Sequence, residues 1–310
     1  MTTSRSQEHC TQWWLPFTSA WHDLGMSQTG PERPSVLRAV RERSRAEITR
    51  QILDTARRHL ATDGASGLSL RAIARELGMS PSAVYRYIPG RDDLLTRLIV
   101  AAYDALGAAA EAAEAGVARA DLAGRWSAVC EAVRAWARAH PNEYALLYGT
   151  PVPGYSAPSA TIAPAARVSG VLLGILADTA ALSAAAMTYD DLSPDSRDAL
   201  APARTMVPPG VPDGLLQRGL MAWSALFGTV SFELFGHHRH VVSEQPGHRD
   251  AFFAECVRRW AIQVGIAPER TGPAAQAPYA NPSPPASSDD TSQAQAGPGQ
   301  TTRTAKEPIP

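Results

Sequence analysis

The sequence predicts an all-α fold, a small N-terminal helical unit followed by a larger helical domain. Two observations carry this. Apolar residues recur at i, i+3, i+4, i+7 spacing through most of the chain, and the alternation expected of strands is absent. Proline-rich breaks at Pro151–Pro164 and Pro202–Pro212 divide that helical pattern into blocks.

The expected helices are 44–62, 70–77, 81–88, 91–115, 121–139, 142–148, 163–187, 213–236 and 248–265. Residues 1–37 form an irregular extension containing Pro16, Pro31 and Pro34, with an unusual cluster of Trp13, Trp14, Phe17 and Trp21. That cluster is either a packing or partner-binding segment, or lies upstream of a natural start at Met26. Residues 38–93 form the small unit and residues 94–267 the larger domain. Residues 268–310 hold nine of the 25 prolines and one aromatic residue, Tyr279. Such a tail buries too little apolar surface to offset its chain entropy, and disorder is expected.

The 310 residues carry a net charge of −1, which excludes a uniformly basic nucleic-acid coat. The charge is uneven, however. Residues 38–97 contain twelve Arg and seven Asp or Glu, a net of +5, leaving −6 for the rest. A local basic block on an acidic body fits a DNA-binding head. Apart from Lys306 in the tail, every basic residue other than histidine is Arg. This removes a phosphate-binding GxxxxGK[ST] loop, a Schiff-base lysine and an SxxK nucleophile. HExxH, GxSxG and GxGxxG are also missing, so no catalytic residue, cofactor or metal is assigned. Cys10, Cys130 and Cys256 form no CxxC pair, which suits a reducing cytoplasmic compartment. The uncharged run from Gly219 to Phe232 is too short for a bilayer, and no membrane partner is expected.

The most informative segment is residues 69–91. Ser69 is placed to cap a short helix, and Leu70, Ile73, Ala74 and Leu77 share one face. Gly78 ends that helix, because it enters the left-handed region freely. Ser80 caps the next helix and Pro81 occupies its first position. Ala74, Gly78 and Val84 have the spacing of a helix-turn-helix: a small residue for close approach, a glycine for the turn, a branched residue in the angle. The second helix then exposes Ser82, Ala83, Tyr85, Arg86 and Tyr87, as a helix entering a major groove would. An ordinary α-hairpin would share the spacing.

The flanking residues extend the pattern. Ile52, Ala56, Leu60 and Gly64 precede it, and Tyr85-Arg86-Tyr87-Ile88 and Arg91-Asp92-Asp93-Leu94 complete it. Over about residues 45–95 the chain resembles the N-terminal domain of the tetracycline-repressor (TetR) family. Leu60 stands where the family usually has Phe, and Arg91 where it usually has Lys. The resemblance implies that Ser69 and Arg71 touch the DNA backbone or groove. It also implies that Ser80, Pro81, Ser82 and Ala83 approach bases, and that Tyr85, Arg86, Tyr87 and Arg91 clamp phosphates. Small residues at 82 and 83 favour methyl and shape contacts over bidentate base pairing. Arg38, Arg41, Arg43 and Arg45 precede the first helix as a basic arm for the minor groove or as a solvated linker.

In the larger domain, Trp126, Val129, Cys130, Val133 and Trp136 recur at helical spacing before His140-Pro141. The segment Asn142 to Tyr155 follows, and later Trp223, Phe227, Gly228, Phe232 and Phe235 line one helix. This resembles the WHG type of TetR C-terminal domain, with Phe227 where that signature has His. The resemblance implies an effector pocket and a two-fold pairing of the last two helices. Tyr103, Trp126, Cys130, Tyr144, Tyr148, Tyr155 and Leu172 are the pocket candidates, suited to a small apolar or aromatic effector. Each is also a plausible core residue. For the dimer face, Gly219, Ala222, Ala225 and Gly228 would permit close approach, and Trp223, Phe232, Phe235, Phe252, Phe253 and Trp260 would supply burial. His237-His238-Arg239-His240 lacks a usual metal-ligand spacing and reads as an exposed loop. The expected function is a homodimeric regulator of transcription on palindromic DNA, most simply a repressor released by effector. An activator of the same fold, or a ligand-binding helical protein with a vestigial motif, would share these features.

Overall fold

The computed structural model describes residues 36–183 and 192–266. The Trp-rich extension before residue 36, residues 184–187 of one expected helix, and the Pro/Ala/Ser-rich tail lie outside them.

The head consists of α1 (Val36–Asp63), α2 (Leu70–Glu76) and α3 (Pro81–Tyr85). Ile52, Ala56 and Leu60 on α1 meet Leu70, Ile73 and Ala74 on α2, Val84 on α3 and Ile88 beyond it. All are buried. The first two turns of α4 (Arg91–Ala115) close this core with Leu94, Leu95 and Leu98. Two expectations need correction. α1 begins at Val36, about two turns earlier than its apolar pattern, so Arg38, Arg41, Arg43 and Arg45 are helical and do not form an extended arm. α3 ends at Tyr85, with Arg86 as its C-cap. The backbone tightens there through bonds from the Arg86 and Tyr87 amides to the carbonyls of Ala83 and Val84.

α4 carries on from the head into the body. There it packs against α5 (Leu122–Ala139), α6 (Pro141–Tyr148) and α7 (Ile162–Ser183). A 3-10 turn, Ser159–Thr161, leads into α7. Two short helices, α8 (Pro194–Ala199) and α9 (Ala201–Arg204), precede α10 (Asp213–Leu234) and α11 (His248–Gln263). The short helices were not expected. Pro194 and Pro202 sit in their first turns, where the missing N–H costs nothing, so these prolines start helices.

The body core joins Trp126, Cys130 and Val133 of α5, Leu172 and Leu176 of α7, Leu216 and Leu226 of α10, and Phe253 and Trp260 of α11. Among the described residues, Ser159–Leu182 is the one stretch long and apolar enough to cross a membrane, with mean hydropathy 1.6. Here it packs against α4, α5 and α10. Two charged residues on it are ion-paired, Arg167 with Asp104 and Glu111, and Asp178 with Arg119 and Arg125.

Two buried arginines tie the body together. Arg125 on α5 is 1% exposed. Its Nε donates to Glu114 Oε1 on α4 at 2.7 Å, and its Nη1 to Asp178 Oδ2 on α7 at 2.8 Å. Arg134 donates to both carboxylate oxygens of Glu233 on α10, at 2.7 and 2.9 Å. It also pairs with Asp250 on α11 and lies 4.7 Å from the Phe253 ring centroid. Such forks suit a guanidinium and not an ammonium.

Candidate nucleic-acid interface

The helix-turn-helix is built from local signals. Ser69 Oγ accepts the Ala72 amide at 3.4 Å and Ser80 Oγ accepts the Ala83 amide at 3.2 Å. Gly78 adopts φ +63°. The Gly78 amide donates to Arg75 O and the Met79 amide to Ala74 O. This is the Schellman closure, which satisfies two carbonyls at the end of α2 and sets the angle to α3. Arg58 and His59 of α1 both reach Glu76, at 2.7 and 2.6 Å, and brace α2. Arg58, then His59, hold the Glu76 carboxyl below its usual pKa.

α3 buries one residue, Val84. Ser80, Pro81, Ser82, Tyr85 and Arg86 are exposed and Ala83 half-buried. Tyr85 is 44% exposed although aromatic. Arg71 is exposed at the start of α2, whereas Ser69 is half-buried and its side chain is spent on the cap. Tyr87 and Arg91 are half-buried and engaged: the Arg45 guanidinium lies 5.3 Å from the Tyr87 centroid, and Arg91 Nη2 donates to Ala65 O at 3.0 Å. The outer surface of α3 is therefore open to a ligand, with one free guanidinium and one phenol at its C-terminal end. Arg45, read from sequence as part of an arm, instead donates Nη2 to Arg86 O at 3.0 Å and secures that end.

The pocket candidates divide into two groups. Trp126, Cys130, Tyr144 and Leu172 are buried in the body core. Tyr148 packs on Phe227 at 4.5 Å and on Tyr144 at 4.9 Å, and Tyr103 meets it edge-on at 6.1 Å. Tyr144 Oη donates to Phe227 O at 3.0 Å and lies 3.0 Å from Ser231 Oγ. Burial pushes the Tyr144 phenol up to about 12 and raises Tyr103 and Tyr148 as well, so all three stay neutral donors. Trp126 Nε1 is buried without a hydrogen-bond partner. Burial raises the Cys130 thiol too, which keeps it protonated and unreactive. Tyr155 does not join this group. With Leu146 and Val152 it packs on the head core, and its Oη lies 2.9 Å from Thr96 Oγ1 on α4.

The residues chosen for a dimer face divide as well. Gly219, Ala222, Phe253 and Trp260 are buried within the protomer. A Cβ at Gly219 would fall within 2.1 Å of Leu176 Cδ1, so this glycine admits α7 of the same chain. Trp223 and Ala225 are half-buried against the core. The outward face is Phe232 (53% exposed), Phe235 (43%), Phe252 (39%) and Gly228, together with Met221 (54%), which sequence reasoning missed. His237 packs tilted on Phe232 at 5.1 Å, and His238 meets Phe232 edge-on at 5.8 Å and Phe252 edge-on at 5.5 Å. The histidine run is thus partly an aromatic rim.

Two family models match the chain. One, described as bacterial regulatory proteins of the tetR family, covers residues 52–98. The other, a tetracyclin repressor-like C-terminal domain, covers residues 126–260. The chain is 39% identical over 214 residues to the HTH-type transcriptional regulator Rv1816 of Mycobacterium tuberculosis, spanning 67% of this chain and 89% of that one. HTH-type transcriptional regulator Mb1846 of Mycobacterium bovis matches with the same identity and coverage. Among solved structures, the chain designated SCO4313 is 35% identical with a TM-score of 0.58, covering 71% of this chain and 97% of that one. A protein of unknown function from Rhodococcus sp. RHA1 shares the fold, with 24% identity and a TM-score of 0.53 over 71% of this chain and 96% of its own.

Proposed function

The chain belongs to the tetR family of bacterial regulatory proteins, and from that premise we propose that it is a homodimeric cytoplasmic repressor, released from a palindromic operator by a small apolar or aromatic effector. Regulation of transcription through a helix-turn-helix, not enzymatic catalysis, is the activity of this family. The observation that carries the proposal is the unobstructed outer surface of α3, capped by Ser80 and secured by Arg45 at its C-terminal end, while Ser82, Tyr85 and Arg86 are exposed.

A five-residue helix reads only a few base pairs, so useful specificity needs two copies at a fixed spacing. The exposed face of Met221, Gly228, Phe232 and Phe252 supports pairing of α10 and α11. The Tyr103–Tyr148–Phe227 cluster and the unpartnered Trp126 indole support an effector with an apolar body and an acceptor group. α4 spans head and body, and Tyr155 ties the loop after α6 to it through Thr96. An effector favouring a state in which this link has shifted would move the heads out of register, by population shift.

The test is gel shift on a duplex that the wild-type chain selects from a random-sequence pool. Tyr85→Ala and Arg86→Ala are each expected to weaken binding on all selected sequences. Arg86→Ala should also flatten the salt dependence by about two units, for one phosphate neutralised per head at ~0.9 each, whereas Tyr85→Ala, which removes an uncharged phenol, should leave the slope near that of the wild type. Undiminished affinity in both variants would refute the assignment.

A further inference from the structure

α1 carries a second feature suited to the same polyanion. Its inward stripe runs back from Ile52 through Ile48, at intervals of three and four residues, to positions 45, 41 and 38. Ile52 is fully buried and Ile48 packs on the head core. At the next three positions the stripe turns to Arg45, Arg41 and Arg38, all exposed. The helix has run past the core while keeping the same face turned toward the motif.

Arg45 fixes that direction through its contacts with Arg86 O and the Tyr87 ring. Arg41 and Arg38 then lie about 6 and 10 Å farther along the axis, at 1.5 Å per residue. Residues 36–46 hold four Arg and one Glu, a net of +3. The single acid, Glu42, pairs with Arg38 at 3.0 Å, and both side chains are more than 60% exposed. An ion pair so exposed contributes little and exchanges readily for another anion.

We propose that Arg38 and Arg41 form a phosphate-contacting ridge, which engages the DNA strand beside the stretch clamped by Tyr85 and Arg86 and lengthens each half-site. The ridge rests on α3 being the groove reader. It is a helical surface lying along the backbone, not an arm entering the minor groove. Arg43 faces the other side of α1, where its Nε donates to Ala39 O, and provides a matched control.

The experiment compares the full chain with Arg38→Gln/Arg41→Gln and Arg43→Gln on the same selected duplex between 50 and 200 mM salt. Four phosphate contacts per dimer, at ~0.9 each, should flatten the plot of log affinity against log salt by roughly 3 to 4 in the double variant. Hydroxyl-radical protection should shorten at the edge of each half-site. Arg43→Gln should keep the wild-type slope and footprint. A wild-type slope in the double variant overturns the ridge and leaves the groove reader standing. An equal loss per arginine removed in Arg43→Gln, about half that of the double variant, also overturns it, as a general effect of charge. A wild-type chain that enriches no duplex overturns both proposals before any substitution is made.

Discussion

Phe232→Asp is expected to convert the protein from dimer to monomer and to lower operator affinity by two to four orders of magnitude. Phe232 is 53% exposed on α10, on the helix face that also carries Met221 and Phe235, which are 54 and 43% exposed, and Phe252 on α11 is 39% exposed. A Cβ at Gly228 meets no atom within 4 Å, which leaves the surface between them open to a neighbouring helix. In a two-fold interface one substitution acts twice. Burying an unpaired carboxylate costs at least about 2 kcal/mol each time, which outweighs the apolar contact it replaces. The affinity loss follows from linkage: a dimer presents its second head at high effective concentration, worth about 10²–10⁴ in avidity. The isolated protomer should keep its melting behaviour, because Phe232 lies outside the body core. Phe253→Asp, by contrast, should unfold the body, since Phe253 is 1% exposed. Sedimentation of Phe232→Asp at micromolar concentration checks the first outcome, and a variant that remains dimeric contradicts it.

Arg125→Ala is expected to destabilise the body by about 3–5 kcal/mol, the cost of leaving a buried pair without its partner. Burial opposes the charge on Arg125, and the hydrogen bonds it donates to Asp178 and Glu114 outweigh that, so its pKa is raised. Removal takes away the buried link between α4 and α7 and leaves Glu114 and Asp178 with only the exposed Arg119 as partner. For a folded unit of this size the melting temperature should fall by roughly 10 °C. Arg125→Lys should fall between the two, since an ammonium keeps the charge but not the two-sided fork. Thermal melting checks this, and a drop of only 1–2 °C would show that the pairs contribute little.

The head was legible in the sequence because its signals are local. Ser69, Gly78, Ser80 and Pro81 each act within four residues of themselves, and all four do in the structure what their chemistry predicts. The limits of α4 were equally plain, set by Gly90 and Gly116. What was not legible depends on distant partners. Arg125 and Arg134 look like solvated arginines until carboxylates at 114, 178 and 233 come into place. Helical spacing shows that Gly219, Ala222, Phe232 and Phe253 are candidates for burial. It does not show which of them face the chain's own α7 and which face outward. Its amphipathic ring makes Tyr155 a pocket candidate of the body from sequence, yet the loop after α6 turns back onto the head. The first turns of α1 carry no apolar stripe, only arginines, so periodicity placed its start too late.

The central claim is that a symmetric pair of subunits presents α3 twice to one face of DNA. Hydroxyl-radical footprinting of the wild-type chain on its selected duplex tests this most directly. Two protected half-sites should appear with centres about 10 base pairs, or one helical turn, apart. Both should vanish together in a folded Tyr85→Ala/Arg86→Ala variant. A single protected half-site, or protection unchanged in that variant, would contradict the account.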